Sequence, residues 1–228
     1  MVSTMEEQRL SPGDLPRHRH RTSYVAIVLA GRYAEFGDTG RWRVGPGTVV
    51  AHGPFEAHGD VVGPGGARVV NIPWDDSAVL PPLFDVADPD ALLRAVRSGE
   101  RDLSALLRPA ATYVPDNRDW PALLAGALRR GPVNLTDWAI GQGLAPATVS
   151  RGFRRAFGTT AARYRIEAQT REALRRLRQG ADALAAIAAD CGFADQAHLT
   201  RAVTGLTGQS PGWWRRVKSV QDREAGGA

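Results

Sequence analysis

The C-terminal half of this chain states one pattern twice. Leu135-Thr-Asp-Trp-Ala139-Ile-Gly-Gln-Gly143-Leu144 leads into Val149-Ser150-Arg151-Gly-Phe153, and Gly158 follows. Later, Leu184-Ala-Ala-Ile187-Ala188-Ala-Asp-Cys-Gly192-Phe193 leads into Leu199-Thr200-Arg201-Ala-Val203, and Gly208 follows. Leu135 and Leu184 stand equally far ahead of their glycines, as do Ala139 and Ala188. A single insertion precedes the second Leu-Thr-Arg. Each copy predicts a short apolar helix, a glycine turn and a second helix that carries an arginine outward, the order of a helix-turn-helix. Two such units in one chain are suited to two successive major grooves of duplex DNA.

Charge falls in the same place. The formal net charge is +5, but residues 1–118 hold 13 basic and 15 acidic residues while residues 119–228 hold 16 and 9. A basic face on the second half would attract phosphates and release their counterions. Lys218 is the only lysine. Arginine abundance accompanies Ala and Gly richness, so by itself it marks no phosphate site. No stretch approaches the ~20 consecutive apolar residues of a membrane helix. Residues Met1 to Arg9 are polar and acidic, so no secretory leader is expected. The single cysteine, Cys191, excludes an intramolecular disulfide and fits a cytoplasmic location.

Along the chain, residues 1–16 read as a loose arm. From about 22 to 74, short β-rich runs alternate with Gly/Pro turns: Tyr24–Leu29 before Gly31, Gly45-Pro-Gly47 before Thr48–Ala51, and Pro64-Gly-Gly66 before Arg68–Ile72. Asp90 to Arg97 predicts a helix that starts at Asp88-Pro89, and Asp102 to Leu107 predicts another. Beyond a polar break at 115–119, helices are expected over 119–129, 135–142, 146–156, 160–178, 183–190, 195–206 and 211–217. Helix 160–178 lies between the two motifs. At ~1.5 Å per residue it spans roughly 28 Å, enough to hold two reading helices near one DNA turn, roughly 34 Å, apart.

Residues 119–217 resemble the DNA-binding domain of the AraC/XylS family of bacterial transcription regulators. The second copy carries the sharper signature: Ile187-Ala188-Ala189-Asp-Cys-Gly192-Phe193, Leu199-Thr200-Arg201, Gly208 and Ser210-Pro211. The resemblance implies seven helices in two subdomains joined by a long helix, with the third and sixth helices in adjacent grooves. Val203 replaces the family's usual phenylalanine, and Trp214 stands where a tyrosine is common.

Ala139, Leu144, Val149, Phe153, Ala188, Phe193 and Leu199 follow core spacing, and Gly143 and Gly192 permit the turns. The outward positions are the candidate DNA contacts: Ala147, Thr148, Ser150, Arg151, Arg154 and Arg155 on the first reading helix, and Gln196, Ala197, His198, Thr200 and Arg201 on the second. Arginine pairs bidentately with guanine and glutamine with adenine, while Thr or Ala meets a thymine methyl. Arg151 and Arg201, equivalent by repeat and supported by the resemblance, are the candidates for base contact. Arg154 and Arg155 suit phosphate. His198 suits a base, a phosphate or plain exposure.

Four of five histidines, His18, His20, His52 and His58, fall in the first 58 residues. His18-Arg-His20, Gly31, Gly45-Pro-Gly47 and His58 resemble a cupin barrel, the sensing domain often joined to such DNA-binding domains. In metal-binding cupins the His-x-His is followed by a glutamate ligand; Tyr24 or Val25 stands there instead, so neither metal nor cofactor is expected. Three imidazoles still form a metal-capable set, and a metal-dependent cupin enzyme or sensor fused to a DNA-binding domain is the alternative reading. Some relatives repair alkylation damage through reactive cysteines; Cys191, beside a turn glycine, reads as buried. No catalytic residues are expected.

The expected fold class is α+β. It comprises a small cupin-like β-barrel (1–80), a helical connector (81–118) and an all-α domain of two helix-turn-helix subdomains joined by a long helix (119–228). Double-stranded DNA is the expected partner, with a small-molecule effector, RNA polymerase and a second copy of the chain as further candidates.

Overall fold

The structure is a computed structural model that describes residues 6–74, 80–100, 102–113, 119–180 and 182–216. The chain divides into two compact units, Met1–Ala122 and Leu123–Ala228.

In the first unit, β1 (Glu6–Leu10), β2 (Gly13–Arg19), β3 (Tyr24–Gly37), β4 (Arg41–Val44), β5 (Thr48–His52), β6 (Ala57–Pro73), β7 (Leu83–Val86) and β8 (Pro109–Thr112) form one sheet. All its pairings are antiparallel. The path runs β1-β6-β3-β5-β7-β8, with β2 also on β6 and β4 also on β3. Among the described residues β1 and β8 do not pair with each other, so the sheet stays open where a barrel was expected to close.

The run Val25-Ala-Ile-Val28 is buried throughout because both faces of the sheet are covered. Successive side chains in a strand point to opposite faces. Val25 and Ile27 join Val49, Val70, Ile72 and Phe84 on the face covered by Leu92 and Leu93 of α1 (Pro89–Arg97) and by Leu103 and Leu107. Ala26 and Val28 join Tyr33, Trp42, Val44, Val50, Val62 and Val69 on the other face. Tyr33 shares that face with Val28 despite opposite parity, because the β3·β6 register shifts between Val28 and Ala30 and again between Gly31 and Tyr33. Such bulges bend a strand and re-aim its side chains.

Four expectations change here. The supposed arm is sheet from Glu6: β1 pairs with Ala67–Asn71 of β6, and Leu10 is buried. Its partners lie some sixty residues away, which local texture does not reveal. The segment 81–118 is not a helical connector. Its residues supply β7, α1 and β8, and Phe84 is fully buried. Residues 102–107 make a turn, with Leu106 and Leu107 N–H donating to Leu103 C=O, in place of the expected helix. The boundary between units falls inside α2 (Trp120–Arg130), rather than at 80 or 118. Residues 114–118 lie outside the described ones.

The second unit is helical: the end of α2, then α3 (Leu135–Gly141), α4 (Pro146–Phe157), α5 (Ala161–Gln179), α6 (Leu184–Asp190), α7 (Gln196–Thr207) and α8 (211–216). These follow the expected spans within one or two residues; residue 217 lies outside the described ones. Among the described residues, no helix is long and apolar enough to cross a membrane.

Candidate nucleic-acid interface

Each reading helix is fixed at both ends by local chemistry. Asn134 Oδ1 accepts from Thr136 and Asp137 N–H and starts α3. Pro146 occupies the first turn of α4, where its missing N–H costs nothing. Asp195 Oδ1 accepts from His198 N–H at 2.6 Å and starts α7. Gly158 and Gly208 end α4 and α7 in left-handed conformation. The turns inside the two motifs rest on Gly143 (φ 67°) and Gly192 (φ 76°), equivalent glycines in the same rare conformation.

α5 serves both motifs. At its start Tyr164 meets the rings of Phe153 and Phe157 at 5.5 and 5.3 Å, and its hydroxyl accepts from Arg129 at 2.6 Å. At its end Ala173 and Leu177 pack with Ile187, Ala188, Cys191, Phe193, Leu199 and Val203. The expected core positions are buried, except Leu144, which is half-buried. Val203, smaller than the phenylalanine of the resemblance, is fully buried. Trp214 packs against the same cluster and donates from Nε1 to Thr207 Oγ1 at 3.0 Å. Gln169, which sequence reasoning missed, reaches from α5 to donate to Gly192 C=O at 3.3 Å.

Packing of these core residues leaves the opposite faces to solvent. Ala147, Thr148, Ser150, Arg151, Arg154 and Arg155 on α4 are exposed, as are Gln196, Ala197 and Arg201 on α7. His198 and Thr200 are half-buried. The His198 ring stands edge-on to Phe193 at 5.2 Å, and Thr200 Oγ1 donates to its own helix at Gln196 C=O.

The arginines divide into two classes. On α5, Arg163 pairs with Glu167 at 2.9 Å, Arg175 and Arg176 pair with Glu172, and Arg176 also reaches Asp190 at 2.8 Å. Those ion pairs hold the Glu172 carboxyl below its ordinary range. By contrast, Arg151, Arg154, Arg155 and Arg201 make no side-chain hydrogen bond or ion pair among the described residues. Cys191 is buried, and burial pushes its thiol up. Nucleophilic cysteine chemistry needs the opposite shift.

In the first unit, the register gathers the histidines. Glu35 lies opposite Asp60 and Gly37 opposite His58 across β3·β6, while Tyr24 lies opposite His52 across β3·β5. His18, His20 and His58 bring ligand atoms within 4.8 Å of one another, and so do Glu35, His52 and His58. The carboxylate beside His52 and His58 is Glu35, on the strand of Tyr24 and Val25 but beyond two register shifts. Burial pushes the Glu35 carboxyl up to about 8 and the His52 imidazole well down.

The second unit is thus a pair of helix-turn-helix motifs on a shared helix, with uncompensated arginines on both outward faces. Residues 138–217 match the family described as "Helix-turn-helix domain". The matched residues all lie in the second unit. Together these features mark the second unit as a helix-turn-helix domain.

Similar solved structures include the AraC-type regulator from Chromobacterium violaceum, 20% identical over 42% of this chain and 88% of that one, TM-score 0.39. The DNA-binding domain of AdpA, solved in complex with a target DNA, is 23% identical over 45% and 96%, TM-score 0.42. ToxT from Vibrio cholerae is 8% identical over 93% and 98%, TM-score 0.41. No curated protein matches the chain.

Proposed function

We propose that the chain regulates transcription by reading a specific duplex sequence, with α4 and α7 in successive major grooves. The supporting observation is the contrast among arginines. Arg163, Arg175 and Arg176 of α5 are paired with carboxylates, whereas Arg151 and Arg201, equivalent in the repeat, stand exposed and without a side-chain partner among the described residues, on helices that both end in left-handed glycines. Arg151 and Arg201 read bases, aided by Gln196, Ala147, Ala197, Thr148 and Ser150. Arg154 and Arg155 grip phosphate. His198, turned against Phe193, and Thr200, bonded to its own helix, stand at the edge of this surface. The first unit, a cupin-like sensing module, modulates binding.

Selection of bound sequences from a random duplex pool tests the reading. Arg201→Ala should cost about 1–3 kcal/mol and relax preference at one base position. Arg151→Ala should do the same about one DNA turn away. Arg154→Ala should weaken all sequences alike and lower the salt slope by about one. An unchanged preferred sequence in both Arg151→Ala and Arg201→Ala, with evenly reduced affinity, would make both residues phosphate clamps. Phe84→Ala, which opens a cavity in the first unit, should alter the DNA affinity of the full chain; unchanged affinity would sink the modulating role.

A further inference from the structure

The inner face of the N-terminal sheet ends in a cluster of buried polar groups that its apolar surroundings do not explain. Glu35 is 3% exposed, Asp60 4%, His52 6% and His58 8%. Glu35 and Asp60 sit directly opposite each other across β3·β6. Two carboxyls in that position cannot both ionise without mutual repulsion, and burying a carboxylate costs heavily unless it is paired or coordinates a metal. Two polar atoms of the cluster point the same way: His58 Nδ1 and Asp60 Oδ1 are buried with no hydrogen-bond partner among the described residues, 3.7 Å apart. Glu35 Oε2 lies 3.6 Å from His52 Nε2 and 3.8 Å from His58 Nδ1.

We propose that Glu35, His52 and His58 hold a divalent transition-metal ion, with Asp60 beside it. A tetrahedral ion with bonds of about 2.0–2.2 Å places neighbouring donors about 3.3–3.6 Å apart. The observed 3.6 and 3.8 Å from Glu35 lie within a few tenths of an ångström of that spacing, and all three donors fall within 4.8 Å of one another. Two imidazoles and a carboxylate suit zinc, iron or cobalt better than magnesium or calcium.

The surroundings fit that use. His58 Nε2 lies 3.0 Å from the Tyr24 hydroxyl. With Nε2–H donating to that oxygen, the Nδ1 lone pair is free to face Glu35. A ligating histidine is ordinarily held in this way by a partner on its other nitrogen. Tyr24 also stacks on His52 at 4.6 Å, so one side chain orients both imidazoles. The ion would neutralise the opposed carboxylates and satisfy His58 Nδ1. The His-x-His pair is the competing set: His18 is exposed, and its Nδ1 lies 3.0 Å from Pro16 C=O. In this assignment His18 is not a ligand.

Tag-free full-length protein, stripped with a chelator and titrated with cobalt(II), tests the assignment through visible ligand-field absorption and atomic emission after desalting. Wild type should take up one equivalent. Glu35→Gln and His52→Gln should each weaken uptake by more than the ~100-fold seen for outer partners, and Tyr24→Phe by about 10–100-fold. His18→Gln should bind like wild type. Circular dichroism checks that each variant folds; should Glu35→Gln or His52→Gln not fold, Tyr24→Phe and His18→Gln decide. Folded wild type that takes up no cobalt would overturn the proposal. So would binding lost in His18→Gln, or binding retained in folded Glu35→Gln.

Discussion

Gly143 and Gly192 hold equivalent turns, yet alanine should cost more at the second. Both glycines have positive φ, at 67° and 76°. A side chain in left-handed conformation costs about 1–2 kcal/mol. At Gly143 a new Cβ meets nothing within 4 Å, so Gly143→Ala should cost that backbone penalty alone. At Gly192 it would come within 2.7 Å of Gln169 Nε2, the donor to the same residue's carbonyl. Gln169 is long and swings aside cheaply, but the hydrogen bond is lost, worth about 0.5–1.5 kcal/mol. Gly192→Ala should therefore exceed Gly143→Ala by about 1 kcal/mol. In a Gln169→Ala background the excess should vanish, since contacting residues are the ones that fail to add. Hydrogen exchange of the full chain, followed by mass spectrometry, reads α3–α4 and α6–α7 peptides separately. That matters because two compact units need not unfold as one. Equal losses at the two turns, or an excess that survives Gln169→Ala, would refute the role given to Gln169.

Three further outcomes are expected. DNA affinity of the full chain should fall steeply with salt, by ~10³–10⁵ between 50 and 200 mM if ~6–10 phosphates are contacted; a fluorescence titration indifferent to salt would count against groove binding. Asp195→Ala should cost about 1 kcal/mol by uncapping α7, seen as faster exchange at its first turn with α3 unchanged. Ile187→Ala, at a fully buried site, should cost about 2–5 kcal/mol and deprotect α6 and α7 together, whereas exchange confined to α6 would contradict a shared core.

The helical unit was legible because its information is local. Apolar spacing, glycines after each helix and capping residues such as Asn134 and Asp195 lie within a few residues of the elements they define. The sheet unit was legible only in part. β1 and β7 gain their identity from β6 and β5, tens of residues away, and their own texture is ordinary. The acid beside the histidines was hidden for a more specific reason. Counting alternately from Val25 or Ile27 places Glu35 on the α1-covered face. The two register shifts in β3 return it, with Tyr33, to the face shared by Val62 and the histidines. Alternation remains physically correct on each side of a bulge, but sequence does not mark where a bulge resets it.

Charge shows the same gap between composition and placement. The excess of basic residues in 119–228 is a property of the segment, whereas attraction for phosphate depends on which of those charges remain uncompensated. On α5 three of the six arginines are bound up in holding the domain together: Arg163 with Glu167, Arg175 with Glu172, and Arg176 bridging Glu172 to Asp190 of α6. An arginine engaged with carboxylates must give up those bonds before it can neutralise a phosphate, so it contributes less to counterion release than its formal charge suggests. Arg151, Arg154, Arg155 and Arg201, without side-chain partners among the described residues, sit where each apolar core, by burying Val149 and Phe153 on α4 or Leu199 and Val203 on α7, turns the remaining helix face outward. The same spacing that builds the core therefore chooses which of these arginines face solvent.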